Sequence, residues 1–391
     1  MLLSLLVYSL TGAILFYLGW HVNRREQKLL INGGKLLPFY SWEILLSILI
    51  FAIVAGARYH TGYDHAMYLD QYLHLQKTGD FSRHNFEYGF EFISRLFALC
   101  NIHYFFYFAF WALLQIGFIY YGLRNHKHLL CWVGLGIMCG SYFLGWMNSV
   151  RQSVVVCLFV PIIPFIRDRK FLIYFWVVIL AAFIHKSALL LLPLYLLAYC
   201  RIEEKVYNRY VLFGVLAGGV ILGIIVGAIH WEKYLSNNIL LDITGYSNYS
   251  NLNDPNVVGK FRILNWGPSR TLILISNALI IWFYPELKAY FKDDKLLPYY
   301  FYLSFGGMFL SNLLMNTSHF FLRPVEYFTV FNLVMCAFLM CYLVTKKRYI
   351  IGAITFVTLY SIVFIDVIKA VYRPINENQP FLYHFFFAPL L

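Results

Sequence analysis

Charge is scarce in this chain. Asp, Glu, Lys and Arg make up 13% of its 391 residues, about half the roughly 25% of a soluble domain. So little polar surface cannot clothe a soluble core of this length. A disordered chain, which combines high charge with low hydrophobicity, is excluded as well. Cysteine is limited to Cys100, Cys131, Cys139, Cys157, Cys200, Cys336 and Cys341, all in or beside apolar runs and never as CxxC. A disulfide framework or a zinc site is therefore not expected. The chain lacks GxxxxGK[ST], which disfavours a P-loop ATPase, and it lacks HExxH. It also lacks Asp-x-Asp, the usual metal clamp for a nucleotide-sugar. No metal and no other cofactor is expected. No short fixed repeat and no low-complexity tract divides the chain, which reads as one domain over 1–391.

Apolar residues are abundant instead, at 61%. The chain reads as an all-α polytopic integral membrane protein, since a bilayer core of about 30 Å takes roughly 20 apolar residues as helix. About twelve membrane segments are expected, near 2–20, 39–57, 103–123, 129–147, 150–166, 171–185, 187–200, 208–230, 266–284, 296–315, 320–345 and 349–371. The first has no basic n-region and no clear cleavage site, so it reads as a retained helix. The segments 171–185 and 187–200 are short and read as one kinked helix or as a pair entering and leaving on the same side. Broken helices are tolerated only where protein or water satisfies the freed backbone.

The net charge of +12 reads as membrane anchoring, and no nucleic acid partner is expected. More than half of the 31 basic residues fall in the short turns 23–35, 124–128, 167–170, 201–209, 285–295 and 346–348. Lys and Arg mark cytoplasmic loops, so both termini face outward. No cytoplasmic loop is long enough for a catalytic domain. The long connections, 58–102 and 231–265, lie outside, where functional loops belong.

Chemistry-bearing residues cluster at this outer side. Arg58-Tyr-His-Thr-Gly62-Tyr-Asp64-His-Ala-Met-Tyr68 opens the first outer connection. Gly62 permits a turn and Asp64 can cap the helix after it; the same Arg58 and Asp64 could face one cavity. Glu87, Glu91 and Arg95 recur every four residues and share a helical face. Asn148-Ser-Val-Arg151-Gln152 sits in a tight turn between two apolar runs, and a charge there reads either as snorkelling or as facing a cavity. His185-Lys186-Ser187 lies inside the short pair, and His suits proton transfer near neutral pH. Arg323-Pro-Val-Glu326-Tyr327 opens a later segment, where Arg323 and Glu326 could also neutralise each other. Arg58, Arg151, Lys186 and Arg323 thus fall at the outer ends of separate helices. Such cations suit an anionic head group such as a diphosphate, whose oxygens match the planar fork of Arg. The second outer loop interleaves Tyr246, Tyr249 and other aromatics with Asn and Ser, the chemistry of carbohydrate binding.

The ordered motifs Arg58-x3-Gly62-x-Asp64-x3-Tyr68, Glu87-x-Gly89, Asn148-x2-Arg151-Gln152, Phe183-x-His185-x-Ser187 and Arg323-x3-Tyr327-Phe328 resemble the EpsG family of bacterial exopolysaccharide and O-antigen (Wzy-type) polymerases. The resemblance covers roughly 40–345. It implies a glycosyltransferase of the bacterial inner membrane, with a GT-C-like organisation and an active site facing the periplasm. Donor and acceptor would be undecaprenyl-diphosphate-linked oligosaccharides within the lipid bilayer, with a chain-length regulator protein as a further partner. On this reading Arg151, Arg323 and Arg58 hold the donor diphosphate, with Lys186 as a further cation. Asp64 is the first choice of general base and His185 the second. Glu87, Asn148 and Gln152 orient sugars or arginines, Tyr68, Glu326 and Tyr327 bind substrate, and Tyr246 and Tyr249 grip the acceptor. Two other functions compete. A lipid-linked oligosaccharide flippase would need a cationic path through the whole membrane, whereas cations are seen only at the outer ends. An O-antigen ligase tends to have one dominant outer loop, whereas two medium loops occur here.

Overall fold

The structure is a computed structural model that describes residues 1–62, 64–82, 86–204, 208–229, 267–317, 322–372 and 381–387. In chain order the helices are α1 (Leu2–Ile31), α2 (Trp42–Gly56), α3 (His65–Thr78), α4 (Tyr88–Leu99), α5 (Tyr104–Gly122), α6 (Leu130–Cys139), α7 (Tyr142–Asn148) and α8 (Val150–Arg167). They continue with α9 (Phe171–Ala182), α10 (Arg209–Ile229), α11 (Pro268–Tyr290), α12 (Leu297–Leu313), α13 (Glu326–Thr345), α14 (Tyr349–Tyr360) and α15 (Ile362–Val371). Among the described residues the only β-type pairing is an isolated antiparallel bridge between Arg58 and Phe385. The chain divides into two compact units. One comprises Met1–Pro161, Phe183–His185 and Leu343–Leu391; the other comprises Ile162–Ala182 and Lys186–Tyr342.

In the first unit, α1 packs on α2 and α6, and α2 packs on α5. The buried residues of α1, among them Ser4, Tyr8, Thr11, Leu15, Leu18, Val22 and Glu26, recur every three or four positions. They form one stripe toward the neighbouring helices, and its small members let backbones approach. Ion pairs tie one end of this bundle: Lys127 Nζ lies 2.6 Å from Glu26 Oε1, and Arg25 Nη1 lies 2.8 Å from Glu43 Oε1. The connection 58–102 is itself structured as α3 and α4. Both dock on α5 through aromatic rings, with Tyr72 stacked on Tyr107 at 4.2 Å and Phe90 on Trp111 at 5.1 Å. In the second unit, α10 packs on α11 and α12. Buried polar groups there pair with one another: Ser304 Oγ donates to Asn332 Oδ1 at 2.6 Å, and Asn332 Nδ2 to Asn277 Oδ1 at 3.4 Å. An apolar bundle in lipid demands this of its polar side chains.

The expected count of about twelve segments is too high. Among the described residues six helices are long and apolar enough to cross a membrane, or eight if each of two bent pairs is one span. A hydropathy window measures composition and does not see where a helix stops. The 39–57 run gives α2, of 15 residues, which reaches only about 22 Å at 1.5 Å per residue. The 129–147 run breaks at Ser141, where φ is +65°, and α7 bends away from α6 by 62°. The 349–371 run bends by 42° between α14 and α15. The pair at 171–200 resolves into α9, of 12 residues, and a 3-10 run, Lys186–Tyr199, that packs against it. The Tyr174 hydroxyl donates to the Leu191 carbonyl at 2.5 Å across that contact.

Candidate functional site

The site in the first unit is assembled by two backbone locks. Gly62 has φ +97°, a conformation that L side chains rarely adopt, and it turns the chain into α3. The turn is held from outside, because the Asp64 N–H donates to Asn148 Oδ1 at 2.9 Å. Asp64 is the N-cap residue of α3, but its side chain makes no capping hydrogen bond. Asn148 ends α7, and the break at Ser149 starts α8 with Arg151 in its first turn. The second lock is at α4. The N–H groups of Gly89 and Phe90 donate to the Phe183 carbonyl at 2.9 and 3.3 Å, so that carbonyl satisfies the start of α4. A Cβ on Gly89 would lie 2.8 Å from that carbonyl oxygen, closer than packing allows.

These locks bring Glu87, Arg151 and His185 together. Glu87 is the N-cap residue of α4, and His185 lies two residues beyond the capping carbonyl of Phe183. Arg151 Nη1 donates to Glu87 Oε2, and Arg151 Nε donates to the Tyr68 hydroxyl at 3.3 Å. His185 Nδ1 lies 2.8 Å from the other carboxylate oxygen, Glu87 Oε1. Glu87 and His185 are buried, and Gln152 is buried nearby in sequence on α8. The Arg151 guanidinium rests over the rings of Phe86, Phe90 and Tyr68 at 4.7, 5.4 and 5.9 Å. A cation opposite a carboxylate and on aromatic faces is fixed in orientation as well as in charge. Glu91 is not the partner of Arg95, which instead pairs with Asp80 at 2.7 Å.

Arg58 does not join this group. It is buried at 1% exposure, gives one N–H to the Ala55 carbonyl, and lies over the Phe108 ring at 4.7 Å. Burial lowers its pKa to about 9, so it stays charged at neutral pH. Residues 381–387 run across it: the Tyr59 N–H donates to the His384 carbonyl at 2.8 Å, and the Phe386 N–H to the Ala57 carbonyl at 3.0 Å. His65 lies on the same Phe108 ring, centroids 4.8 Å apart. The sequence reading passed over His65, although it stands one residue after Asp64 in a motif already singled out.

The second unit contains Lys186, Arg323, Glu326 and Tyr327. Lys186 is exposed; Arg323 and Glu326 are half-buried. Tyr327 is buried, with its hydroxyl 2.8 Å from Ser187 Oγ. Arg270 is a cation that sequence reasoning missed. It stands in the first turn of α11, and its Nη2 donates to Asn312 Oδ1 at 2.6 Å and to the Ser311 carbonyl at 3.0 Å. The signal for it was its place directly after the second outer loop. Tyr246 and Tyr249, with the loop 231–265, lie outside the described residues. Among the described residues no three His, Cys, Asp or Glu side chains are grouped to hold a metal ion.

Helices long enough to span a bilayer and a charged, aromatic-lined group define a multi-pass membrane protein. The chain belongs to the EpsG family, whose model matches residues 41–385, nearly its whole length. No curated protein and no solved structure matches it.

Proposed function

We propose that the protein is a bacterial polysaccharide polymerase with a GT-C-like organisation, acting on the outer face of the inner membrane. It transfers a growing glycan from undecaprenyl diphosphate to the non-reducing end of the next lipid-linked repeat unit. Family membership supports the polymerase class. The observation that carries the mechanism is the carboxylate of Glu87 shared between Arg151 and His185.

In this reaction the bond between the anomeric carbon and the diphosphate oxygen breaks, and its electron pair stays on the diphosphate. A bond forms from that carbon to the acceptor hydroxyl, whose proton must be taken up. Arg151 balances the charge growing on the departing diphosphate. His185 takes the proton. Donating Nδ1–H to Glu87 fixes the tautomer in which Nε2 is the basic atom, and the carboxylate stabilises the imidazolium that forms. This favours His185 over Asp64 as base. Asp64, Asn148 and Gln152 shape the turn that presents Arg151, and Tyr68 supports the guanidinium. Lys186, Arg323, Glu326 and Tyr327 are substrate-binding residues of the second unit. Tyr246 and Tyr249 grip the acceptor glycan, and a chain-length regulator is a partner.

Deleting the gene in its host and examining surface glycan on gels tests the class. A polymerase leaves single repeat units and no ladder. Complete loss of surface glycan points instead to a flippase or a ligase.

A further inference from the structure

Buried N–H groups in proteins nearly always have an acceptor. Three around the Phe108 ring have none among the described residues: Arg58 Nε, Arg58 Nη2 and His65 Nε2. His65 Nδ1 accepts the His60 N–H at 3.2 Å, so in the neutral ring the proton sits on Nε2, which is a donor. Arg58 is 1% exposed and His65 0%, so water does not serve them from the surface. Among the described residues no carboxylate pairs with Arg58. The Tyr8 and Tyr383 hydroxyls, which donate to the Phe381 carbonyl at 3.0 Å and the Val54 carbonyl at 2.5 Å, do not accept from Arg58 Nε or Nη2. A ring face offsets part of the cost of burying a cation but satisfies no N–H. Such a group, a full positive charge and three donors without an acceptor, is complementary to a phosphoryl group, whose oxygens take the forked N–H pair of Arg.

We propose that Arg58 and His65 form a second anion site, which holds the diphosphate of the lipid-linked acceptor under a cover made by residues 381–387. This rests on the polymerase reading. Two diphosphates take part in each transfer, and they need different sites. The departing one gains charge and belongs beside the base. The acceptor's diphosphate is unchanged and lies a whole repeat unit away from the attacking hydroxyl. The Arg58 group fits the second role: it makes no hydrogen bond or ion pair with Glu87, Arg151 or His185, and its charge is not spent on a carboxylate. The cover is held to Ala57 and Tyr59 by backbone hydrogen bonds, to Thr61 by its hydroxyl, which donates to the Leu382 carbonyl at 3.1 Å, and to Ser4 Oγ by the Tyr383 N–H at 2.9 Å, besides the Tyr8 and Tyr383 hydroxyl bonds.

The test is titration of the full-length protein in nanodiscs with farnesyl diphosphate, inorganic pyrophosphate and farnesol. Wild type should bind two farnesyl diphosphates per chain, Arg58→Met and Arg151→Met one each, and neither should be saturated by farnesol. Without ligand, Arg58→Met should melt no lower than wild type, because it removes an unpaired buried charge. In the polymerisation assay its KM for acceptor should rise at least tenfold, with KM for donor unchanged. His65→Phe keeps the ring packing and should weaken the same binding event, so the inference does not depend on Arg58→Met folding. Pyrophosphate competing at the Arg58 site supports the assignment; pyrophosphate bound there with farnesyl diphosphate excluded overturns it. Two undiminished binding events in both Arg58→Met and His65→Phe overturn it too. If the protein forms no polymer, two binding events that respond to these variants still show the anion site, so the two readings fail separately.

Discussion

Glu87 and His185 are 98 residues apart in the chain, and a carboxylate oxygen of the one lies 2.8 Å from Nδ1 of the other. The same carboxylate accepts from Arg151. One acidic residue therefore sets both the tautomer of the proposed base and the orientation of the proposed leaving-group cation.

Replacing that residue should disable both partners together. Glu87→Gln keeps an acceptor for His185 but turns an amide toward Arg151 or the reverse, and it leaves the guanidinium without its counter-charge. Turnover should fall by about 10²–10³. Breaking a buried pair from one side costs about 3–5 kcal/mol, so the melting temperature should fall as well. Initial rates of polymerisation and thermal unfolding of the same sample check this.

Gly89→Ala probes the lock rather than the charges. The new methyl would sit 2.8 Å from the Phe183 carbonyl oxygen, and relieving that contact moves the segment carrying His185. The expected stability loss is about 1–3 kcal/mol, the usual cost of overpacking. Activity should fall while farnesyl diphosphate binding persists. Wild-type activity in Gly89→Ala would remove the lock from the account.

The ordered motifs were legible in the sequence because each is joined to another by a bond that needs its residue type. Gly62 makes the turn that presents the Asp64 N–H to Asn148, and Gly89 leaves room for the Phe183 carbonyl. What the sequence could not show was pairing across the chain. Nothing local to 381–387 announces that it crosses Arg58, and the unsatisfied donors of Arg58 and His65 exist only once both are packed on the Phe108 ring. The span count failed for a related reason. The break at Ser141 and the 12-residue length of α9 are backbone events inside runs whose apolar composition is uninterrupted.

Acidification should weaken the fold through His65. Its pKa in the folded protein is held well below 6.5, first by burial and then by the Arg58 and His60 charges. The unfolded chain therefore binds the proton more readily, and stability rises with pH up to about 6.5 and is lost as pH falls below it. Melting temperatures between pH 7.5 and 5.5 should fall for wild type and fall less for His65→Phe. An identical pH slope in both would remove His65 as the cause.

Topology is open to labelling. From the density of Lys and Arg in the short turns we propose that 58–102 lies outside. In a cysteine-free background, a cysteine at Thr78, at the end of α3, should react with a membrane-impermeant maleimide in intact spheroplasts. Reaction only after the membrane is permeabilised would reverse the orientation.

The central claim is that Arg151 carries the charge of the departing diphosphate and His185 takes the acceptor proton. The measurement is polymerisation of lipid-linked repeat units by purified protein in EDTA, comparing wild type, Arg151→Lys, Arg151→Ala, His185→Gln and Asp64→Asn. Lysine keeps the charge and loses the planar fork, so Arg151→Lys should be slowed and Arg151→Ala slowed by about 10²–10³. His185→Gln should be nearly inactive, with Asp64→Asn retaining more activity. Full activity of Arg151→Ala at normal expression, or a strict requirement for a divalent cation, would contradict the account.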